Sequence, residues 1–238
     1  MKRILVALVL VVFSVTAFAG PAAAAEKTGT LDRIVANGEL RVGMSGNQPP
    51  YNMKNKNGKL IGLEVDMANL LAEAMNVKPV LVVKPFAQLI PSLLAGEVDV
   101  VMSGMTITAE RNMKVAFVGP YNISGKSILT KSVTLAAAEA AEDINAKDVT
   151  LTALEGSTSQ KFVEVLLPEA QLKKAADYDS AVKLLLEDQV NALVAAMEIC
   201  NAAGLCMFGY LSYPWQSIPE QLAAVTGHEY DLQAILET

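Results

Sequence analysis

The chain is poor in the residues that carry most metal and enzyme chemistry. Its 238 residues hold a single histidine, His228, and two cysteines, Cys200 and Cys206. A metal site draws on several Cys, His or acidic ligands at short spacing, and the sequence supplies no such cluster, so neither a metal nor a cofactor is expected. Two cysteines build no disulfide framework; whether they pair with each other in an oxidising compartment stays open. Lysine and arginine total 19 against 25 acidic residues, a net charge of −6 with no clustered basic face, which excludes a nucleic-acid partner. Charged residues are 18% of the chain and apolar residues 52%, a balance that excludes disorder and allows a large buried core.

What is present begins with Met1, Lys2 and Arg3, an apolar run from Ile4 to Ala19, then Gly20, Pro21 and alanines to Ala25. A charged start, an apolar stretch and a small-residue cleavage site make a secretory signal peptide over residues 1–25. The run is shorter than the roughly 20 residues a membrane span needs. A secreted, periplasmic protein is expected.

Beyond it, short apolar runs alternate with helical patterns. Leu40 to Met44 reads as a strand, Gly46 to Tyr51 as a turn-rich loop, and Asn55 to Gly58 as a turn between two short extended pieces. Val65, Met67, Leu70, Leu71 and Met75 recur at helical spacing within Glu64 to Met75. Strands are then expected at Val80–Val83, Val98–Met102, Ser127–Thr130, Val149–Ala153 and Asn191–Ala195, and helices at Phe86–Leu94, Thr158–Leu166 and Ser180–Leu186. Pro91 belongs in a first helical turn or at a kink. Ala136 to Ala141 reads as the start of a solvated helix. Such alternation predicts parallel sheets buried on both faces, in two α/β series joined near Tyr121 to Lys131. The division is residues 26–125, lobe 1; residues 126–200, lobe 2; and residues 201–238, an unmatched tail.

Five blocks stand in order: Gly62-Leu63-Glu64-Val65-Asp66-Met67-Ala68, Leu89-Ile90-Pro91-Ser92-Leu93, Gly96-Glu97-Val98-Asp99, Gly104-Met105-Thr106-Ile107-Thr108-Ala109-Glu110-Arg111, and Gly119-Pro120-Tyr121. Together they resemble the family-3 extracellular solute-binding proteins, the polar amino acid binding components of ABC transporters. The resemblance implies a two-lobed α/β fold of the type II periplasmic binding protein class, a small carboxylate ligand such as an amino acid, a membrane permease as partner, and a monomer. It implies no catalysis.

The residues allow the same chemistry. Arg111 can donate two parallel hydrogen bonds to a carboxylate; the alternative is a surface arginine at a helix end. Ser103, Gly104 and Thr106 follow the strand Val98–Met102, at the carboxyl edge where α/β sheets bind ligands. Gly156-Ser157-Thr158-Ser159 opens a helix, so Ser157 and Thr158 can face an anion or act as ordinary caps. The resemblance implies that Phe86 stands in the aromatic or apolar pocket wall and that Gln48 falls near a relative's stacking aromatic, making the pocket more polar; Phe86 or Tyr51 can pack on a ligand, Tyr51 alternatively being a core aromatic under its loop. Glu64 and Asp66 read as helix N-terminal charges rather than a catalytic pair.

Two departures from the resemblance matter. Relatives carry an aspartate for the ligand ammonium in the strand-end motif written here Ala192-Leu193-Val194-Ala195-Ala196-Met197, and position 196 is alanine. A buried ammonium without its counter-charge loses roughly 3 to 5 kcal/mol, or about two to three and a half decades of affinity, unless Glu198 substitutes. The second departure is the tail: no lysine or arginine follows Lys183, and Trp215, Phe208, Tyr210, Tyr213 and Tyr230 gather there. The family's second hinge strand and closing helices are not recognisable in it, although Pro219–Val225 and Tyr230–Leu236 can form short helices. A binding-defective member is therefore one alternative. Another is an enzyme, since the periplasmic cyclohexadienyl dehydratases resemble the same pattern, but no general acid is evident.

Overall fold

The computed structural model describes residues 29–202 apart from Glu139. The signal segment, Cys206, Trp215, His228 and the two tail helices expected from the sequence lie outside the described residues.

Helix α1 (Thr30–Asn37) leads into β1 (Glu39–Met44), and a small antiparallel ribbon follows, β2 (Asn47–Gln48), β3 (Asn52–Lys54) and β4 (Leu60–Ile61). Next come α2 (Leu63–Ala74), β5 (Lys78–Val83), a 3-10 turn at Phe86–Gln88 running into α3 (Leu89–Leu94), β6 (Val100–Val101) and α4 (Ala109–Asn112). β7 (Lys126–Thr130) starts a second series: α5 (Val133–Ala136), a 3-10 turn at Ala141–Ile144, β8 (Thr150–Leu154), α6 (Thr158–Leu166), β9 (Gln171–Ala175), α7 (Tyr178–Leu186), β10 (Ala192–Ala196) and α8 (Met197–Ala202).

The first sheet is parallel, ordered β5-β1-β6; the second is ordered β7-β10-β8-β9. Each places its first crossover strand, β1 or β8, between the next two, so one wiring is used twice although the sequence shows no repeat. Val42 and Met44 of β1 pack with Val65, Ala68 and Ala72 of α2 in one buried cluster. Leu151, Ala192 and Val194 pack with Val163 and Leu167 in another. A third cluster is shared, containing Tyr51, Phe86 and Leu89 from the first series and Leu154, Tyr178, Leu185 and Ile199 from the second.

Three expectations need correction. The second sheet is mixed: β10 is parallel to β8 but antiparallel to β7. β7 arrives from the first series rather than through a crossover helix, so nothing imposes the parallel direction. The helix expected at Ala136–Ala141 is instead the end of α5, which starts early because Ser132 Oγ accepts from Leu135 N, and a separate 3-10 turn begins where Ala140 N donates to Asp143 Oδ2 at 3.0 Å. The helix expected over Phe86–Leu94 is 3-10 in its first three residues, with Pro91 in the first turn of α3, where its missing N–H does no harm.

Candidate functional site

The carboxyl ends of β1, β6, β8 and β10 converge on one cavity of about 360 Å³ of empty space, part of it open to solvent. The first series lines it with Gln48, Tyr51, Phe86, Gly104 and Thr106. The second contributes Lys126, Leu154, Ser157, Thr158, Ser159, Tyr178, Ala196 and Ile199.

The wall from the first series is held by a buried carboxylate. At Gly62 φ is +122°, and a Cβ there would lie 2.5 Å from Tyr51 O, so only glycine fits. That turn lets Leu63 N and Glu64 N, at the start of α2, donate to Pro50 O and Tyr51 O at 3.2 and 2.8 Å. Glu64 is fully buried and accepts from Asn52 Nδ2, from Gly104 N at 2.5 Å and from the Tyr121 hydroxyl. Burial pushes its carboxyl above the usual range, against the lowering effect of these donors. The expectation of a helix-end charge therefore gives way to a cross-link of three segments. The Gly104 N–H is engaged with this carboxylate.

Gln48 is likewise fixed. Its Oε1 accepts from Ser103 Oγ at 2.5 Å and from Ser45 Oγ at 2.9 Å, while Ser103 Oγ accepts from Ser45 N at 3.0 Å. Ser103 thus stands behind the lining, buried, and positions Gln48. Tyr51 is buried in the shared core and lines the cavity, its hydroxyl accepting from Asn122 Nδ2; burial and the nearby Glu198 raise its pKa, which keeps it neutral.

Arg111, expected at the site, is not among the lining residues but stands beside them. Its Nη1 donates to Thr106 O at 2.7 Å and its Nη2 to Gly156 O at 2.9 Å, and its guanidinium lies 5.7 Å from the centre of the Phe86 ring. Burial lowers its pKa, yet an arginine stays charged. From the other side, Ser157 caps α6 by accepting from Gln160 N at 3.1 Å. Thr158 Oγ1 accepts from Lys126 Nζ at 2.7 Å and lies 3.3 Å from Thr106 Oγ1.

Lys126 is the residue that sequence reading missed. It precedes the expected strand Ser127–Thr130 and was not singled out. Burial first, and the Arg111 charge second, bring its pKa down from 10.5 to about 8. The usable signal was a cation placed beside Gly125 at the head of an apolar strand. Glu198 does not line the cavity; it is buried and accepts from Asn122 Nδ2 at 2.6 Å and from Ser124 Oγ. Among the described residues no three His, Cys, Asp or Glu side chains cluster to hold a metal ion.

Residues 40–198 match the family model of the bacterial extracellular solute-binding proteins, family 3. The chain belongs to that family. This family-3 protein is 31% identical over 170 residues to a cyclohexadienyl dehydratase of Pseudomonas aeruginosa, covering 68% of the chain and 63% of the relative. It is 35% identical over 121 residues to an L-cystine-binding protein of Escherichia coli, covering 51% of the chain and 46% of the relative. Among solved structures, an ancestral amino acid-binding protein, a precursor of cyclohexadienyl dehydratase, superposes with a TM-score of 0.73 at 33% identity, covering 77% of this chain and 82% of that one. The fold is accordingly the two-lobed type II class. The family-3 chain spans between about half and two thirds of the length of these two curated relatives.

Proposed function

We propose that this chain captures a small carboxylate solute, an amino acid or a related acid, and hands it to an ABC transporter permease. In this reading residues 1–25 direct export, residues 26–125 and 126–200 form the two lobes, and the protein works as a periplasmic monomer. The observation that carries it is a cavity lined by the capped start of α6 at Ser157 and Thr158, with the Arg111 guanidinium beside it, bonded to Thr106 O and Gly156 O and set against Phe86. Both favour an anion, one by charge and fork geometry, the other by its dipole end. Gln48, Tyr51 and Phe86 complete the wall; Ser103 and Gly104 position it; Thr106 meets Thr158 at its rim. Relatives named for binding L-cystine and L-arginine support the reading.

The test is isothermal titration of the secreted protein with amino acids and with matching acids that lack the amine. Micromolar binding that weakens by about 30-fold or more in Arg111→Ala is expected, since removing a buried charge partner is worth at least 2 kcal/mol. Binding unchanged in that variant would overturn the assignment of Arg111.

One observation favours an enzyme instead: the relative named cyclohexadienyl dehydratase. Dehydration of a cyclohexadienol carboxylate yields an aromatic ring, so growth of ultraviolet absorbance under turnover conditions would replace the binding reading with that one.

A further inference from the structure

Resting on the reading of this cavity as the solute site, we infer that its subsite between Lys126 and Ala196 takes an anionic group, so that the ligand is a small dicarboxylate without an amine there.

The strands set the geometry. In the antiparallel pairing of β10 with β7, Ala196 is the direct partner of Lys126, and both line the cavity. Side chains directly opposite begin about 5 Å apart, so whatever sits against the Ala196 methyl is within reach of the lysine. An ammonium donates three hydrogen bonds; Thr158 Oγ1 receives one, at 2.7 Å. An incoming carboxylate can take others.

Charge points the same way. Among the described lining residues Lys126 is the one with a formal charge at neutral pH, and Arg111, bonded to the lining residue Thr106, adds a second positive charge near it. The acid closest in sequence to Ala196, Glu198, stands behind the lining: it accepts from Asn122 and Ser124 and lies near Tyr51, Tyr178 and Lys126, but is not itself a lining residue. An α-amino acid would bring its ammonium into a cavity lined by a lysine and by no carboxylate. A second carboxylate instead offsets the repulsion between Lys126 and Arg111 that burial intensifies.

The experiment titrates the secreted protein at about pH 7 with succinate, glutarate and 2-oxoglutarate, and in parallel with propionate, glutamate, glutamine and arginine. At least one dicarboxylate is expected to bind more tightly than every amino acid of the panel. Lys126→Met should weaken that dicarboxylate by about 30-fold or more while leaving propionate unchanged, and Lys126→Arg should keep most of the affinity. Ala196→Asp should reverse the order, favouring amino acids. A wild-type protein that prefers an amino acid, with binding lost in Arg111→Ala but kept in Lys126→Met, overturns this inference and leaves the transport reading standing. Silence of the whole panel, from protein shown folded by circular dichroism, overturns both.

Discussion

Lys126 combines two requirements that conflict in the absence of a ligand, burial and a positive charge. Its neighbours are Thr158 on α6, Arg111 on α4, and Glu198 and Cys200 on α8; only the two last favour the charged form. With a pKa of about 8 in the empty cavity, Lys126 is charged at neutral pH, and a bound anion raises that value further. Affinity for an anion is therefore full below pH 8 and declines as pH climbs through the higher pKa of the complex. The dissociation constant of the tightest dicarboxylate, measured between about pH 6.5 and about pH 9.5, should rise by up to about tenfold per unit at the alkaline end. Lys126→Arg should flatten the curve, and a flat curve in the wild type would remove Lys126 from the ligand's surroundings. Part of this wall was legible through the family resemblance: Gln48, Tyr51, Phe86, Gly104, Thr106, Ser157 and Thr158 were named there and line the cavity, whereas Ser103 and Arg111, also named, do not. Lys126 was not named, because a strand's first residue is as often solvated as buried, and the depth of Glu64 depends on three partners distant in sequence.

Gly156 is the tightest point where the two series of elements meet. Its φ is +74°, and a Cβ would come within 3.0 Å of the Ala87 Cβ and 3.2 Å of its Cα. Gly156→Ala adds a left-handed penalty of about 1 to 2 kcal/mol and a methyl with nowhere to go. The protein should fold, with ligand affinity reduced by about tenfold or more because closure is obstructed. Calorimetric titration and thermal melting together check this: a large loss of melting temperature without loss of affinity would place the strain inside the second series alone. The strands and helices with strong periodicity were readable at this scale, Thr158–Leu166 to the residue. β9 was not, since Gln171, Lys173 and Lys174 face outward on a sheet edge and break the apolar pattern that marks a strand. Nor were α4 and α5, four residues each, too short for a helical period to register.

Across the whole described molecule, few polar contacts join the first series to the second at the surface. Lys161 Nζ lies 2.8 Å from Glu110 Oε2, both side chains well exposed, and Arg111 reaches Gly156 O nearby. An exposed pair contributes about 0 to 1 kcal/mol and is screened by salt. A double-mutant cycle with Lys161→Ala and Glu110→Ala should give at most a weak coupling in ligand binding, one that vanishes in about 1 M salt. A larger, salt-resistant coupling would mark this pair as a principal clasp. The two-lobed plan was readable because five blocks fall in register; the antiparallel entry of β7 was not, being a property of the path between the sheets. That path has a consequence for the order of assembly. The first sheet has all its strands once the chain has been made as far as Val101, whereas β7 finds its neighbour only when Ala192–Ala196 arrives. Until then Ile128 and Leu129, buried in the finished protein, sit on a strand with an open hydrogen-bonding edge. The interval before that pairing is when a chaperone or a protease has its opportunity.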